Sequence, residues 1–303
     1  MISFAQNQED VVLFRLTKLI AKGIYVDVGA SHPVLENVTY ALYLEGWRGI
    51  NIEPMPNEAA LLRELRSEDE NLEAAVGREP GEIKLFEAPL ENRGATTFDV
   101  NNVDRYRSTG QVFTEFVASM ITLDSVLARY EPRAVHVVKI DVEGFERDVL
   151  LGANLKHHQP WVLVIEATKP NSPIDASSEW EPLVLEAGYE LVLFDGLNKF
   201  YVREDLSEVK SLLNFPANVF DKWQSSQSIS AVDYAVSLRA TLDARELEVS
   251  NAVDYAVSLR TALEARETEL TDATTYINSL KNTIDEQNAY IQALLGSIDR
   301  IEK

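Results

Sequence analysis

The sequence contains no cysteine among its 303 residues. This absence excludes disulfide frameworks, thiolate metal sites and cysteine nucleophiles, and it fits a reducing compartment. Basic residues are also scarce, because 28 Lys and Arg stand against 49 Asp and Glu and the formal net charge is -21. So acidic a chain lacks the positive surface that holds a phosphate backbone, and we therefore expect no nucleic acid partner.

Long apolar runs are missing too. No stretch approaches the ~18 uninterrupted apolar residues of a membrane-spanning helix. The N-terminal segment MISFAQNQEDVVLFRLTKLIAKG has no basic region followed by an apolar one, so it does not resemble a secretory signal. We predict a cytoplasmic protein without a membrane span, whose only membrane association would be peripheral and through a partner.

Several catalytic and nucleotide-binding motifs are absent as well. The sequence contains no G-x-G-x-x-G, no P-loop, no H-E-x-x-H and no G-x-S-x-G. Nothing therefore supports an NTPase or a hydrolase, and a nicotinamide-linked oxidoreductase is disfavoured.

The C-terminal quarter carries an internal repeat. The segment AVDYAVSLR, which begins at Ala231, recurs 21 residues later, and 21 residues are three heptads. Apolar residues continue at alternating steps of three and four, the pattern of a coiled coil. Branched residues at position a with Leu at d favour a parallel dimer, whereas Arg245, Arg266 and Gln287 at d leave a trimer open. We assign residues 229–303 as an oligomerisation stalk of roughly 110 Å, with a spacer or partner-docking helix as alternatives.

Residues 1–228 have a different pattern, in which short apolar runs alternate with amphipathic helices. We predict strands at 24–28, 49–52, 72–76, 83–86, 135–140, 161–165, 190–194 and 199–202. We predict helices at 39–45, 57–66, 123–130, 145–151 and 179–187. Strands that alternate with helices indicate a parallel, doubly wound sheet.

The last two predicted strands are joined by only four residues, Asp195, Gly196, Leu197 and Asn198. This connection is too short for a parallel crossover, so the two strands must form an antiparallel hairpin. The resulting fold class is α/β, with a Rossmann-like, mostly parallel sheet whose last strand is antiparallel, followed by the coiled coil. Such a sheet resembles that of class I methyltransferases.

Ligands of an open α/β sheet bind beyond the carboxyl ends of its strands, so residues at those ends are the site candidates. The first strand ends in YVDVGASHP, with Asp27 inside the strand and Gly29 at a turn where the backbone can approach a ligand closely. The second ends in NIEP, and its Glu53 can accept both ribose hydroxyls of an adenosine. An ordinary turn glycine and a solvated strand-end carboxylate are the alternatives.

Two later strands end in KIDVEG and VIEAT, so Asp141 and Glu166 should share one crevice. Such a pair can take the proton of an acceptor hydroxyl, hold a divalent cation or bind a cofactor. Both can instead cap the helices that follow. Glu143 is undecided between the site and a helix cap, and Glu146 is assigned to the electrostatics of the helix N-terminus.

His32 follows the glycine turn. It can serve as a second base, a metal ligand or an acceptor contact, or it can be a structural turn residue before Pro33. The other histidines, His136, His157 and His158, fit no metal-ligand spacing.

The motifs in this order resemble the FkbM-type family of S-adenosylmethionine-dependent methyltransferases. The resemblance covers about residues 3–203 and runs through SFAQNQED, YVDVGASHP, NVTYALYLEGWRGINIEP, ITLDSVL, KIDVEGFERDVLLGA, VLVIEAT and FDGLNKFYV. It does not extend to the stalk. It implies an S-adenosylmethionine-dependent O-methyltransferase that acts on a sugar hydroxyl of a bacterial surface glycan or its precursor. A non-catalytic coiled-coil scaffold with a cofactor-binding head is the alternative.

The resemblance also implies residue roles. Asp27 and Gly29 would line the methionine end of the cofactor, Glu53 would bind the ribose, and Asp141 would lie where sulfonium and acceptor meet. The full set assigned to cofactor binding is Asp27, Gly29, Ala30, Ser31, Glu53 and Asp141.

For catalysis, we take Asp141 as the base, with His32 as the second choice and Glu166 as a further candidate. If the reaction uses a cation such as Mg²⁺, Asp141 and Glu166 would hold it. Acceptor choice is assigned to the loops at 88–116 and 171–179, because loops set specificity on such scaffolds.

Overall fold

The computed structural model describes residues 1–87, 114–169, 172–228 and 231–301. The chain divides into two compact units, Met1–Ile229 and Ser230–Lys303. The described strands, all in the first unit, are β1 Ile2–Ser3, β2 Ile24–Val28, β3 Arg48–Ile52, β4 Glu70–Leu72, β5 Ala75–Val76, β6 Gly81–Glu87, β7 Thr114–Ile121, β8 Val137–Ile140, β9 Val162–Glu166, β10 Tyr189–Phe194, β11 Asn198–Arg203 and β12 Gln224–Ser225.

The described α-helices of the first unit are short. They are α1 Glu9–Phe14, α2 Tyr40–Leu44, α3 Pro56–Leu65, α4 Leu123–Leu127, α5 Glu146–Leu151, α6 Leu155–His158, α7 Glu181–Leu185 and α8 Ser207–Leu213. In the described part of the chain they are accompanied by 3₁₀ turns at Arg15–Lys18, Ala128–Tyr130, Ser177–Glu179, Val219–Asp221 and Ser226–Ser228. All five predicted helices are present, each with ends shifted by a few residues or continued by a 3₁₀ turn.

Seven of the described strands form the central sheet in the order β10-β11-β9-β8-β2-β3-β4. Neighbours pair in parallel except at β11, which is antiparallel to both β9 and β10. The predicted fold class is therefore confirmed, including the hairpin between the last two strands of this sheet.

The sequence prediction is wrong for the region after β3. The predicted strand 72–76 is two strands, β4 in the central sheet and β5 outside it. The predicted strand 83–86 lies in β6, which pairs antiparallel with β7 in a second, three-stranded sheet. Strand β7 was not predicted, and part of it lies in the segment taken as an acceptor loop. The rest of that loop, residues 88–113, and residue 171 of the other predicted loop lie outside the described residues.

Both faces of the central sheet are covered, as expected for parallel strands, which read as continuous apolar runs. Within β8, Val137 packs into one core, whereas Val138 and Ile140 pack into the other. Because side chains alternate across a strand, Lys139 lies on the face of Val137. This buried lysine sits one residue before the end of the strand.

The two ends of the first unit are tied together. Strand β1 pairs in parallel with β12, and the buried Arg15 forms an ion pair of 2.7 Å with Asp221. The guanidinium of Arg15 also donates to three backbone carbonyls, those of Leu212, Phe215 and Pro216. The N-terminal and C-terminal segments of the first unit are thus in direct contact with each other.

The second unit is helix α9, Ala231–Ile301, of 71 residues. Its described apolar side chains are exposed, including Leu259, Leu263, Ile277 and Ile284. Within the described ranges, no helix combines the length and apolarity that crossing a membrane requires.

Candidate active site

The ends of β2 and β8 place two acidic residues around one lysine. Asp27 of β2 is in register with Lys139 of β8, so both side chains point to the same face of the sheet. The Nζ atom of Lys139 lies 3.4 Å from Oδ1 of Asp27 and 3.4 Å from Oδ2 of Asp141. Burial lowers the pKa of Lys139, but the two carboxylates outweigh burial and raise that pKa above its ordinary value. The lysine is therefore a fixed cation between two strand ends.

Lys139 also donates a hydrogen bond of 2.7 Å to the backbone carbonyl of Gly29. The sequence analysis did not single out this residue. A signal was present, because a lysine inside the apolar run HVVKI must be paired if the strand is buried. Thr39 was missed as well, and its hydroxyl donates to Oδ2 of Asp27 over 2.7 Å.

Gly29 forms the turn that leaves β2. Its φ is +75°, and a Cβ atom there would lie 1.9 Å from the backbone oxygen of Asp141. The glycine is therefore needed because the neighbouring strand end approaches it, whereas the sequence had suggested the approach of a ligand. The N–H groups of Gly29 and Ala30 both donate to the carbonyl of Ile52, and Ala30 is buried.

Glu53 connects the turn after β2 with the turn after β3. One carboxylate oxygen accepts the N–H of Ser31 over 2.8 Å, and the other accepts the N–H of Met55 over 2.9 Å. Burial raises the pKa of Glu53 to about 7, against the opposing effect of these two hydrogen bonds. Ser31 itself is exposed and has a φ of +50°. Glu53 is therefore not a freely solvated strand-end carboxylate.

Three carboxylates meet where β8 and β9 end. One oxygen from each of Asp141, Glu143 and Glu166 lies within 4.8 Å of the other two. Burial, followed by the negative charge of Asp141, raises the pKa of both Glu143 and Glu166. The structure thus brings together the predicted pair Asp141 and Glu166 and adds Glu143, which lies with this group and has a left-handed φ of +54°.

Glu146, the first residue of α5, is not part of this group of three carboxylates. Its Oε1 accepts the N–H groups of Val142 and Gly144 over 3.2 and 3.1 Å. The side chain therefore holds the turn that carries Glu143, a more specific contact than the interaction with the helix dipole that the sequence suggested.

His32 lies in the loop after the Gly29 turn, and its Nδ1 is engaged. This atom accepts the N–H of Val34 over 3.1 Å and that of Leu35 over 2.9 Å. A neutral imidazole that accepts at Nδ1 carries its proton on Nε2. The carbonyl of His32 also accepts from the side-chain amide of Asn37.

A second group of potential metal ligands lies before the first residues of β8 and β9, at the opposite edge of the sheet. It consists of Glu131, His157 and His158. His158 also contacts Asp124 over 2.9 Å. The spacing of these histidines in the sequence gave no indication of this arrangement, because Glu131 and Asp124 reach them only through the fold.

Residues 27–191 match the family model described as the methyltransferase FkbM domain. The curated proteins contain no significant match. Among solved structures, the chain is similar to the crystal structure of a candidate RNA methyltransferase from Pyrococcus horikoshii, with 13% identity over 65% of this chain and 82% of that chain and a TM-score of 0.33. That likeness is too low to carry an argument. The family match spans more than half of the chain, which therefore belongs to the FkbM methyltransferase family.

Proposed function

We propose that the protein is an S-adenosylmethionine-dependent O-methyltransferase whose acceptor is a sugar hydroxyl of a bacterial surface glycan or its precursor. The observation that carries this proposal is the convergence of Glu53, the Gly29 turn and the Asp141 carboxylate at the carboxyl edge of the sheet, where ligands of such sheets bind. Membership in the FkbM family supports the methyl transfer itself.

The residues at this edge fit the chemistry of S-adenosylmethionine. Each carboxylate oxygen can accept two hydrogen bonds, so Glu53, which accepts one backbone N–H at each oxygen, retains acceptor capacity for the two ribose hydroxyls. The sulfonium of the cofactor is a cation and suits the exposed carboxylate of Asp141. Asp27 is fully buried and contacts Lys139 and Thr39, so it does not line the crevice itself. When bound, the cofactor would supply the methyl group, and the protein would align it with the acceptor.

Asp141 is the group best suited to take the hydroxyl proton of the acceptor. Its side chain is 38% exposed, so it is accessible from the crevice, and Lys139 fixes its position from the buried side. His32 fits this role less well, because its Nδ1 already accepts two backbone N–H groups. Alignment of methyl donor and acceptor can contribute about 7 to 11 kcal/mol, and a positioned base adds about 10²- to 10⁴-fold.

We also propose that the chain self-associates through α9. The heptad residues on this helix are exposed, for example Leu242, Leu263 and Leu270. An isolated helix with an exposed apolar seam gains stability when another copy covers the seam. The heptad pattern favours a dimer, and a trimer is the alternative.

Transfer of a labelled methyl group tests the enzymatic part of the proposal. The full-length protein would be incubated with methyl-labelled S-adenosylmethionine and a panel of hydroxylated saccharides and lipid-linked saccharide precursors. Incorporated label that resists mild alkali identifies an ether, whereas a methyl ester would be cleaved. We expect alkali-stable label that Asp141→Asn reduces by about 10²-fold or more.

Label that alkali releases would contradict O-methylation of a hydroxyl group. Cofactor binding without transfer to any acceptor, together with loss of biological activity on deletion of residues 229–303, would favour the scaffold alternative.

A further inference from the structure

The group formed by Asp141, Glu143 and Glu166 concentrates negative charge in a small volume. The three side chains offer one oxygen each, all within 4.8 Å of one another. Opposite ligands of one Ca²⁺ at about 2.4 Å stand about 4.8 Å apart, and those of Mg²⁺ or Mn²⁺ stand somewhat closer. The carboxylates are therefore already within the span of one divalent ion.

Glu166 provides a second observation that points to a ligand. Its side chain belongs to the buried part of β9, with only 9% of its surface exposed. Its Oε2 is buried and accepts no hydrogen bond among the described residues. A buried carboxylate oxygen without a partner is unfavourable, because the lost hydration is not replaced. A cation within the group would replace it.

Among the described residues, the lysine that contacts this group is shared with other acceptors. The Nζ atom of Lys139 lies 3.4 Å from Asp141, but it also lies 3.4 Å from Asp27. Its shortest contact is the 2.7 Å hydrogen bond that it donates to the carbonyl of Gly29. One ammonium thus serves two aspartates and a backbone oxygen. Neither Glu143 nor Glu166 forms an ion pair with Lys139 among the described residues.

The donor atoms decide the class of ion. All three ligands are carboxylate oxygens, without nitrogen or sulfur, and such sets prefer hard cations such as Mg²⁺, Mn²⁺ and Ca²⁺. We propose that Asp141, Glu143 and Glu166 form a binding site for one divalent cation of this class. Binding of the ion requires only these residues. Its role, which rests on the proposed function, would be to hold the hydroxyl oxygen of the acceptor next to the methyl donor and to lower the pKa of that hydroxyl. The oxygen of Asp141 that does not bind the ion would take the hydroxyl proton as the methyl group leaves the sulfonium.

Mn²⁺ is a suitable probe, because its electron paramagnetic resonance signal in solution is largely lost on binding. Full-length protein, freed of metal with EDTA and then dialysed, would be titrated with Mn²⁺ without and with S-adenosylhomocysteine. We expect one saturable site per chain, from which Mg²⁺ displaces Mn²⁺. Glu143→Gln and Glu166→Gln should each weaken binding by about tenfold or more, because affinity for hard cations depends on the number of charged oxygen ligands and each variant removes one.

The matched control is Glu131→Gln at the other group of potential ligands, which should leave the affinity for Mn²⁺ unchanged. Glutamine has the shape of glutamate, and unchanged tryptophan fluorescence would establish that the variants are folded. The proposal is overturned if wild-type protein shows no saturable site up to about 1 mM Mn²⁺, or if Glu131→Gln abolishes binding while Glu166→Gln preserves it. Mn²⁺ binding without any binding of S-adenosylhomocysteine would support the cation site and contradict the proposed function.

Discussion

The ammonium of Lys139 donates a 2.7 Å hydrogen bond to the backbone carbonyl of Gly29, and this contact joins the ends of two central strands. The same ammonium lies 3.4 Å from Asp27 and from Asp141. One buried side chain therefore positions both the turn and the carboxylate that the proposed function needs.

Replacing Lys139 should destabilise the first unit strongly. In Lys139→Met, the fully buried Asp27 loses its cation, and breaking a buried ion pair costs about 3 to 5 kcal/mol. Lys84→Met is the matched control, because Lys84 pairs with Glu115 on the surface, and solvent screens exposed pairs so that they contribute little to stability. Urea unfolding followed by tryptophan fluorescence measures both, since all four tryptophans lie in residues 1–228. Equal losses in the two variants would contradict the role of Lys139.

Gly29→Ala should disturb the turn far more than Gly46→Ala. Both glycines have positive φ, +75° and +85°, and a left-handed conformation costs a residue with a Cβ about 1 to 2 kcal/mol. A Cβ at Gly29 would also lie 1.9 Å from the backbone of Asp141, whereas at Gly46 it would meet nothing within 4 Å. The difference in unfolding free energy between the two variants therefore isolates the close approach. No difference would show that the strand ends can separate without cost.

Binding of S-adenosylhomocysteine should strengthen between pH 6 and pH 8. Burial raises the pKa of Glu53 to about 7, so this carboxyl is mostly protonated at pH 6 and mostly ionised at pH 8. Only the carboxylate accepts hydrogen bonds at full strength, and affinity should therefore rise about tenfold over this range, in step with the ionised fraction of Glu53. An analogue without the ribose hydroxyls should show no such rise. Equal pH dependence for both ligands would exclude Glu53 as the ribose contact.

Asp141→Asn should separate catalysis from binding. The amide retains the size of the side chain but cannot take a proton, so kcat should fall while affinity for S-adenosylhomocysteine changes little. Asp148→Asn, in an ion pair with Arg78 that lies on the surface, is the control. Unchanged turnover in Asp141→Asn would exclude the base.

The oligomeric state should depend on α9. Residues 1–228 form a unit whose termini pair with each other, so this fragment can be studied alone. Light scattering should give a dimer or trimer for the full-length protein and a monomer for the fragment. The same oligomeric state in both would contradict self-association through the helix.

The sequence predicted the central sheet because its signals are local. Apolar runs marked β2, β8 and β9, and the four-residue connection between β10 and β11 allowed only a hairpin. The second sheet was not predicted, because β6 and β7 are separated in the sequence by residues 88–113 and no local pattern specifies that they pair. Site residues at strand ends were recognisable because the apolar runs that indicate the strands also indicate where the strands end.

Side-chain contacts between residues that are distant in the sequence were not predictable in this way. Lys139 occupies a strand position that would otherwise be apolar, and its function depends on Asp27, which lies far away in the chain and becomes its neighbour only through the register of β2 and β8. Glu143 and Glu146 are three residues apart and chemically alike, yet the turn sends one to the carboxylate group and the other to backbone N–H groups.

Calorimetric titration of the full-length protein with S-adenosylhomocysteine tests the central claim most directly. We predict one binding site per chain at pH 8 and an affinity that Glu53→Ala reduces by roughly 100-fold or more, because two charge-assisted hydrogen bonds are lost. A wild-type protein that does not bind S-adenosylhomocysteine, or a Glu53→Ala variant that binds it as tightly as the wild type, would contradict the account.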